Sequence, residues 1–275
     1  MADAALVAFL RSWLPRLGLR WPGYRKVRGI IGKRLKRRLA ELGVPDLSAY
    51  EGVLVRDPDE QARLDAMCRI PISRFYRDRA AFDVISQRLL PEAAQRATAR
   101  GDNAARCWSA GCASGEEPYT LSIAWHFNVA PGWPALRFTV TATDADETLI
   151  ERAKVACYNS SSLKELPPAW RQQAFFARGP LFCLTNDFRQ NVHFELQDIR
   201  RAMPAGPFDL IFCRNLVFTY FDEPLQQRLT GEFNDRLLPG GHLVVGSHEI
   251  LPGAASGFAR LAPGLPIYRR EPRDP

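Results

Sequence analysis

The stretch Cys107–Tyr119, CWSAGCASGEEPY, is where the fold can be read: an apolar run gives way to small residues and two glycines, then to a segment of helical composition. Small residues at such a turn let a ligand approach the backbone, and the free N–H groups at a helix start can meet it. A tight bend alone would also need glycine, so this segment by itself leaves the ligand open. Working outward, Ala105–Ser109, Leu136–Ala142, Val192–Leu196, Phe208–Cys213 and His242–Ser247 read as short apolar strands. Glu116–Phe127, Glu147–Val155 and Glu223–Leu237 carry helical patterning between several of them. That alternation predicts an α/β fold with a doubly wound sheet. Phe258–Leu261 and Pro266–Arg270, joined around Pro263-Gly264, predict a closing hairpin.

One interval breaks the alternation. From Cys157 to Asn191 the chain carries Pro167-Pro168, Gly179-Pro180 and the apolar run Leu181–Leu184, which predicts a small inserted subdomain with antiparallel strand at about 157–191. Ahead of the α/β region, Phe82–Ala99 reads as a connecting helix. Before it, Val27, Ile30, Ile31, Leu35, Leu39 and Leu42 fall at helical spacing and predict one basic amphipathic helix over Tyr24–Leu42. Leu47–Leu54 and Asp59–Cys68 follow as helices. The expected organisation is a basic all-helical domain over 1–82 and an α/β domain over 83–275 that contains the insert.

Charge follows the same division. Residues 1–80 hold 17 Lys+Arg against 9 Asp+Glu, whereas residues 81–275 hold 20 against 21. Between Arg11 and Arg38 there are eleven basic residues and no acidic one. With 46% hydrophobic and 24% charged residues in 275, the composition is that of a globular protein with a working core. Asp3 and Arg11 interrupt the apolar start, so neither a secretory signal nor a membrane span is supported and the cytoplasm is the expected location. The six cysteines form no CxxC pair and are expected to be buried free thiols. The four histidines show no metal-ligand spacing.

The second strand ends in Ala142-Thr143-Asp144-Ala145-Asp146. An acidic residue at that tip can accept from both ribose hydroxyls, which marks an adenosine-type cofactor. Asp144 is the candidate, since Asp146 is placed to cap the next helix; two capping aspartates with no ligand are the alternative. Arg214 ends the buried run Leu210–Cys213, where a charge needs a partner or a ligand.

SRFYRD at 73–78, CASGEEPYTL at 112–121, ATDAD at 142–146, FDLIFCRNLVFTYFD at 208–222 and GGHLVVGSHE at 240–249 together resemble the CheR-type methyltransferases that act on glutamate side chains of bacterial chemoreceptors. The resemblance runs over nearly the whole chain. It implies a Rossmann-like S-adenosylmethionine methyltransferase sheet with an N-terminal helical domain and an inserted subdomain. It further implies that Glu117 contacts the cofactor, Asp144 binds its ribose, Asp198 and Ile199 flank the adenine, and Arg214 and Asn215 line the pocket. Arg77 matches the arginine beside the transferable methyl, and Ser73 stands where relatives have threonine. RNLVFTYFD holds one residue more than the family's usual RNVxIYFD, so either Tyr220 or Phe218 takes the place of its substrate-side tyrosine. Pro71 stands where many relatives have asparagine.

The implied partner is an acidic helical protein such as a chemoreceptor cytoplasmic domain, attracted by Arg34, Lys36, Arg37 and Arg38. A solvated charged face is the plain alternative. Few aromatics interleave the basic run and no base-reading motif accompanies it, which weighs against nucleic acid. Two other functions stay open at this point: methyl transfer to a small molecule or nucleic acid, and a non-catalytic protein that binds S-adenosylmethionine.

Overall fold

The computed structural model describes residues 2–253 and 257–272. The chain divides into two compact units, Met1–Pro71 with Thr219–Gln226 and Ile72–Phe218 with Gln227–Pro275.

The first unit is helical: α1 (Asp3–Trp13), α2 (Trp21–Tyr24), α3 (Arg28–Leu42), α4 (Leu47–Arg56) and α5 (Pro58–Met67). Asp46 and Asp57 start α4 and α5 by accepting backbone N–H groups with their side chains. Leu6, Phe9, Leu10 and Trp13 of α1 and Ile31, Leu35 and Leu39 of α3 are buried apolar residues of this unit. The single helix expected over Tyr24–Leu42 is interrupted at Arg25–Val27. The cause is long-range anchoring that overrides the local period. Arg20 N–H donates to the Tyr220 carbonyl at 2.8 Å, and Asp222 N–H donates to that of Gly18 at 2.9 Å. A Cβ on Gly23 would lie 2.3 Å from the Thr219 carbonyl oxygen, so only glycine allows this approach.

The rest of the chain holds, in order, α6 (Arg79–Val84), α7 (Leu90–Ala99), β1 (Ala104–Ala110), α8 (Glu116–Asn128), β2 (Arg137–Asp144), α9 (Glu147–Val155), β3 (Cys157–Asn159) and α10 (Pro168–Ala174). There follow β4 (Phe175–Arg178), β5 (Leu181–Leu184), α11 (Asn186–Arg189), β6 (Val192–Leu196), β7 (Phe208–Cys213), α12 (Val217–Tyr220), α13 (Glu223–Arg236), β8 (Leu237–Val245), β9 (Phe258–Arg260) and β10 (Ile267–Arg270). The connecting helix expected over Phe82–Ala99 is widened by a π-helical turn at Ile85–Leu89. Pro91 explains the position, because it has no N–H for the preceding turn and its ring would crowd the carbonyl of Gln87.

Seven strands form one sheet in the order β6-β2-β1-β7-β8-β10-β9. The first five are parallel and the closing β9–β10 hairpin is antiparallel, as the sequence predicts. β1 is central, with β2 on one side and β7 on the other, so the order reverses there and opens a crevice at the C-terminal strand ends. Burial on both faces explains why β1 and β7 read as continuous apolar runs instead of alternating ones. Trp108 is fully buried and donates its indole N–H to the Thr143 hydroxyl at 3.0 Å, tying β1 to β2.

β3, β5 and β4 form a separate antiparallel sheet within the interval where strands were expected. It overturns one expectation. Cys157 and Cys183 stand directly opposite each other on β3 and β5, 4.0 Å apart at Cα, and are joined as a disulfide rather than being free thiols. Only the register of that sheet brings them together; nothing in their 26-residue separation shows it. Cys68, Cys107, Cys112 and Cys213 are buried free thiols, as expected.

Candidate active site

Four strand ends meet around the turn that follows β1. Asp144 closes β2, and its carboxylate accepts the Ala113 N–H at 2.9 Å through one oxygen and the Asp146 N–H at 3.0 Å through the other. Asp146 accepts from Thr148 and Leu149 and so caps α9, which separates the two aspartates as their positions suggest. Each oxygen of a carboxylate can accept more than one bond, which is what vicinal hydroxyls need from a residue at this strand end. Gly115 enters α8 at φ 91°, and a Cβ there would sit 3.0 Å from Ala153 Cβ. The residue is glycine because neither the conformation nor the space admits anything else.

Across the turn, Arg214 follows β7 with its side chain 5% exposed. Its guanidinium donates to Asp78 at 2.5 Å, to the Arg77 carbonyl at 2.9 Å and to Glu117 at 3.2 Å. It also lies over the Phe82 ring, 5.1 Å from the centroid. Glu117 is held from its other oxygen by the buried Ser109 hydroxyl at 2.8 Å. The arginine therefore ties the Ser73–Asp78 segment to β1, α8 and β7. Asp78 pairs with Arg214 and not with its neighbour Arg77, whose guanidinium reaches back to the Ile72 carbonyl at 2.6 Å.

Backbone conformation sets this region apart. Tyr76, Asp78, Ala113 and Asn215 all have positive φ without being glycine, at 57°, 63°, 48° and 55°. Such residues cost of order 1–3 kcal/mol each and persist where surrounding structure holds them. Asn215 is held by Glu249, which is 4% exposed and accepts the Asn215 N–H at 2.8 Å and the Gly246 N–H at 2.6 Å. One buried carboxylate thus joins the ends of β7 and β8.

Among the sequence-derived candidates, Arg77, Glu117, Asp144, Arg214 and Asn215 stand on the segments that converge here, and Ser73 lies beside Glu116 just beyond them. Asp198 and Ile199 follow β6, whose Leu196 pairs with Asp144. Asp198 accepts a two-pronged bond from Arg200, and Ile199 is buried. Tyr220 belongs to the first unit, where its ring meets Tyr24 at 4.9 Å, while Phe218 is 2% exposed. Sequence reasoning passed over Ser109, Asp78 and Glu249 as site residues. The quoted motifs contain Asp78 and Glu249, but their partners lie 136 and 34 residues away.

The donor set fits S-adenosylmethionine. A strand-end carboxylate suits ribose hydroxyls, and a second fixed carboxylate, Glu117, suits an ammonium group.

A family model described as CheR methyltransferase, SAM binding domain, matches residues 72–262. A probable chemotaxis protein methyltransferase of Rhizobium etli is 30% identical over 248 residues, covering 87% of this chain and 90% of that protein. The chemotaxis protein methyltransferase of Klebsiella aerogenes is 33% identical over 232 residues, covering 81% and 75%. An uncharacterized 104.1 kDa protein of Rhodobacter capsulatus is 31% identical over 237 residues; the match takes in 85% of this chain and 24% of that protein, so the chain spans about a quarter of its length. The solved N-methyltransferase NodS of Bradyrhizobium japonicum WM9 aligns with 71% of this chain and 99% of its own at 17% identity and a TM-score of 0.38, and nothing further follows from that similarity.

Proposed function

Because the chain belongs to the CheR methyltransferase family, we propose that this S-adenosylmethionine-dependent methyltransferase esterifies glutamate carboxylates of a chemoreceptor's cytoplasmic segment. The observation that carries the reading is the buried Arg214 node, which fixes the Arg77 backbone beside Glu117 at the ends of β1 and β7. Asp144, Glu117, Asn215, Asp198, Ile199 and Ser73 would hold the cofactor. Bound S-adenosylmethionine supplies an electrophilic methyl group.

The chain's own residues then have mainly to orient. A glutamate acceptor is ionised at neutral pH, so no side chain has to remove a proton. Arg77 would grip the acceptor carboxylate in a fork, the arrangement that turns proximity into effective molarity. Its tie to the Ile72 carbonyl limits its rotamers, and its chain neighbours Phe75 and Tyr76 are buried and anchor the segment. Tyr220 is the better candidate for the substrate-side tyrosine, because Phe218 is packed away.

The acceptor is proposed to be an acidic helix met by α3. Lys33, Lys36 and Arg37 are exposed there, and Arg25 and Lys26 just before it are too. Arg34 and Arg38 contribute less, since Arg34 donates to the Met67 and Arg69 carbonyls and Arg38 to Glu60 and Glu41. Among the described residues no helix is long and apolar enough to cross a membrane; the cytoplasm is the proposed location because the proposed substrate segment lies there.

The test incubates the protein with tritiated S-adenosylmethionine and a receptor cytoplasmic fragment. Label released as methanol by mild alkali supports a carboxylate ester. Alkali-stable label would move the acceptor to another chemical class, and no transfer to any acceptor would leave a binding protein.

A further inference from the structure

We infer that Glu249 is a positioning residue for Asn215, setting the backbone and the carboxamide with which Asn215 meets the cofactor; the inference rests on the methyltransferase reading above. Glu249 lies in the loop after β8, where Ser247, His248 and Ile250 face solvent. Between them Glu249 turns inward and is 4% exposed. A carboxylate leaves water at a cost unless bonded groups replace the lost hydration, so its partners show what the position does.

Those partners include backbone N–H groups from two different strand ends. One carboxylate oxygen, Oε2, accepts the Asn215 N–H at 2.8 Å and the Gly246 N–H at 2.6 Å. The Glu249 N–H in turn donates to the Gly246 carbonyl at 2.9 Å, so the two residues bond each other reciprocally, as in a capping box, and the loop that presents the carboxylate is closed on itself. The Asn215 side chain lies against the same point. A Cβ on Gly246 would sit 2.5 Å from Asn215 Nδ2 and 2.8 Å from Glu249 Oε2. Gly246 is therefore the floor on which the carboxamide rests, and a larger residue would push it off.

Asn215 is a residue that needs holding. It stands between the end of β7 at Cys213 and the start of α12 at Val217, outside both, with φ 55°. Asparagine visits the left-handed region more readily than most residues, yet keeps it as a minor state when nothing fixes it. The Glu249 carboxylate, reaching over from the end of β8, supplies the bond that fixes it. One residue earlier, the Arg214 side chain is held by Glu117 and Asp78. The Arg214 side chain and the Asn215 backbone are thus fixed by separate partners, and a pocket residue fixed before its ligand arrives binds without the loss of freedom that a mobile one incurs.

The experiment titrates the full chain with S-adenosylhomocysteine by calorimetry, for the wild type, Glu249→Ala, Glu249→Gln, Asn215→Gly and Glu249→Ala combined with Asn215→Gly. A released Asn215 would hold the left-handed conformation about a tenth of the time, so Glu249→Ala should weaken affinity about 10-fold. Glu249→Gln should recover most of that loss, because an amide oxygen can accept the same two N–H groups. Asn215→Gly removes the carboxamide and adopts positive φ freely, so on that background Glu249→Ala should change affinity by less than about 2-fold. Wild-type affinity in Glu249→Ala overturns the inference. So does an equal loss on both backgrounds, which would make Glu249 a brace of the fold that acts independently of Asn215. If Glu249→Ala does not fold, Gly246→Ala decides, because its Cβ displaces the carboxamide: weakened affinity is expected, and wild-type affinity counts against the inference. Methyl transfer to no acceptor would sink the functional reading alone, since the affinity cycle needs no acceptor.

Discussion

Each unit of the molecule sets an arginine among carboxylates, and these two are built differently. In the first unit Arg38 meets Glu60 through a two-pronged bond of 2.9 and 2.6 Å and reaches Glu41 at 3.1 Å. The Tyr50 hydroxyl completes Glu60 at 2.7 Å. Every nitrogen of that guanidinium has a carboxylate partner, and the surrounding helices are regular. In the second unit Arg214 divides its bonds among Asp78, Glu117 and a backbone carbonyl, its Nε has no partner among the described residues, and its neighbours hold strained backbone. A saturated pair leaves no charge uncompensated and is costly to break from one side. An unsaturated node that restrains a strained segment is organised for a ligand or a reaction.

The largest expected difference is at Arg214. Arg214→Ala strands two carboxylates and frees the Arg77 segment, so methyl transfer should fall by at least about 100-fold, and Arg214→Lys should not rescue it because an ammonium lacks the planar fork. Glu60→Ala leaves Arg38 buried without its main partner and should cost about 3–5 kcal/mol of stability, with transfer per folded molecule unchanged. Chemical denaturation and single-turnover assays on both variants measure this. Equal catalytic losses would break the comparison. The Glu60 pair also carries a pH signature. Arg38 holds the Glu60 carboxyl below the ordinary carboxylate range, so its stabilisation is present above about pH 4.3 and is lost as pH falls through the lowered folded value.

The contrast was only partly legible in the sequence. Asp144 and Arg214 could be named because strand ends leave local signatures, Glu117 came only with the family resemblance, and the sheet followed from the apolar runs. The partners of Arg214 could not be, since Asp78 lies 136 residues away and reaches it only through a left-handed conformation that no residue type there announces. The break at Arg25–Val27 was hidden for the same reason: the periodicity continues through it, and tertiary anchoring at Thr219–Asp222 decides. Glu249 sat in a quoted motif without a role, because its function is to receive two backbone N–H groups. Motifs report side chains at strand tips well and the contacts that hold backbone poorly.

The disulfide tests whether covalent closure matters to the second unit as the Arg38 pair does to the first. Cys157→Ser with Cys183→Ser opens a loop of 26 residues and should lower stability by about 3 kcal/mol. Urea titration of the oxidised, reduced and doubly substituted protein measures it. Tyr158, between Cys157 and the rest of β3, donates its hydroxyl to the Ser114 carbonyl at 2.7 Å. If the loss is confined to the small sheet, cofactor affinity holds; if it spreads through Tyr158, affinity falls too.

The smallest expected effect asks whether an unsatisfied buried polar group is enough to mark function. His242 on β8 is 1% exposed and its Nδ1 has no partner among the described residues, and Arg96 on α7 has two such nitrogens. Neither residue has positive φ or belongs to a quoted motif with an assigned role. Burial lowers the His242 pKa to about 4, helped by Arg96, Arg269 and Arg88 against Glu92. The unfolded chain therefore takes up a proton near pH 6.5 that the fold refuses until about pH 4. Stability should fall as pH drops through that window, by about 2 kcal/mol at pH 5. His242→Leu should flatten this slope and leave methyl transfer unchanged. A catalytic loss in that variant would mean that unsatisfied burial alone marks a working site, and the strained backbone around Arg214 would cease to be the distinguishing feature.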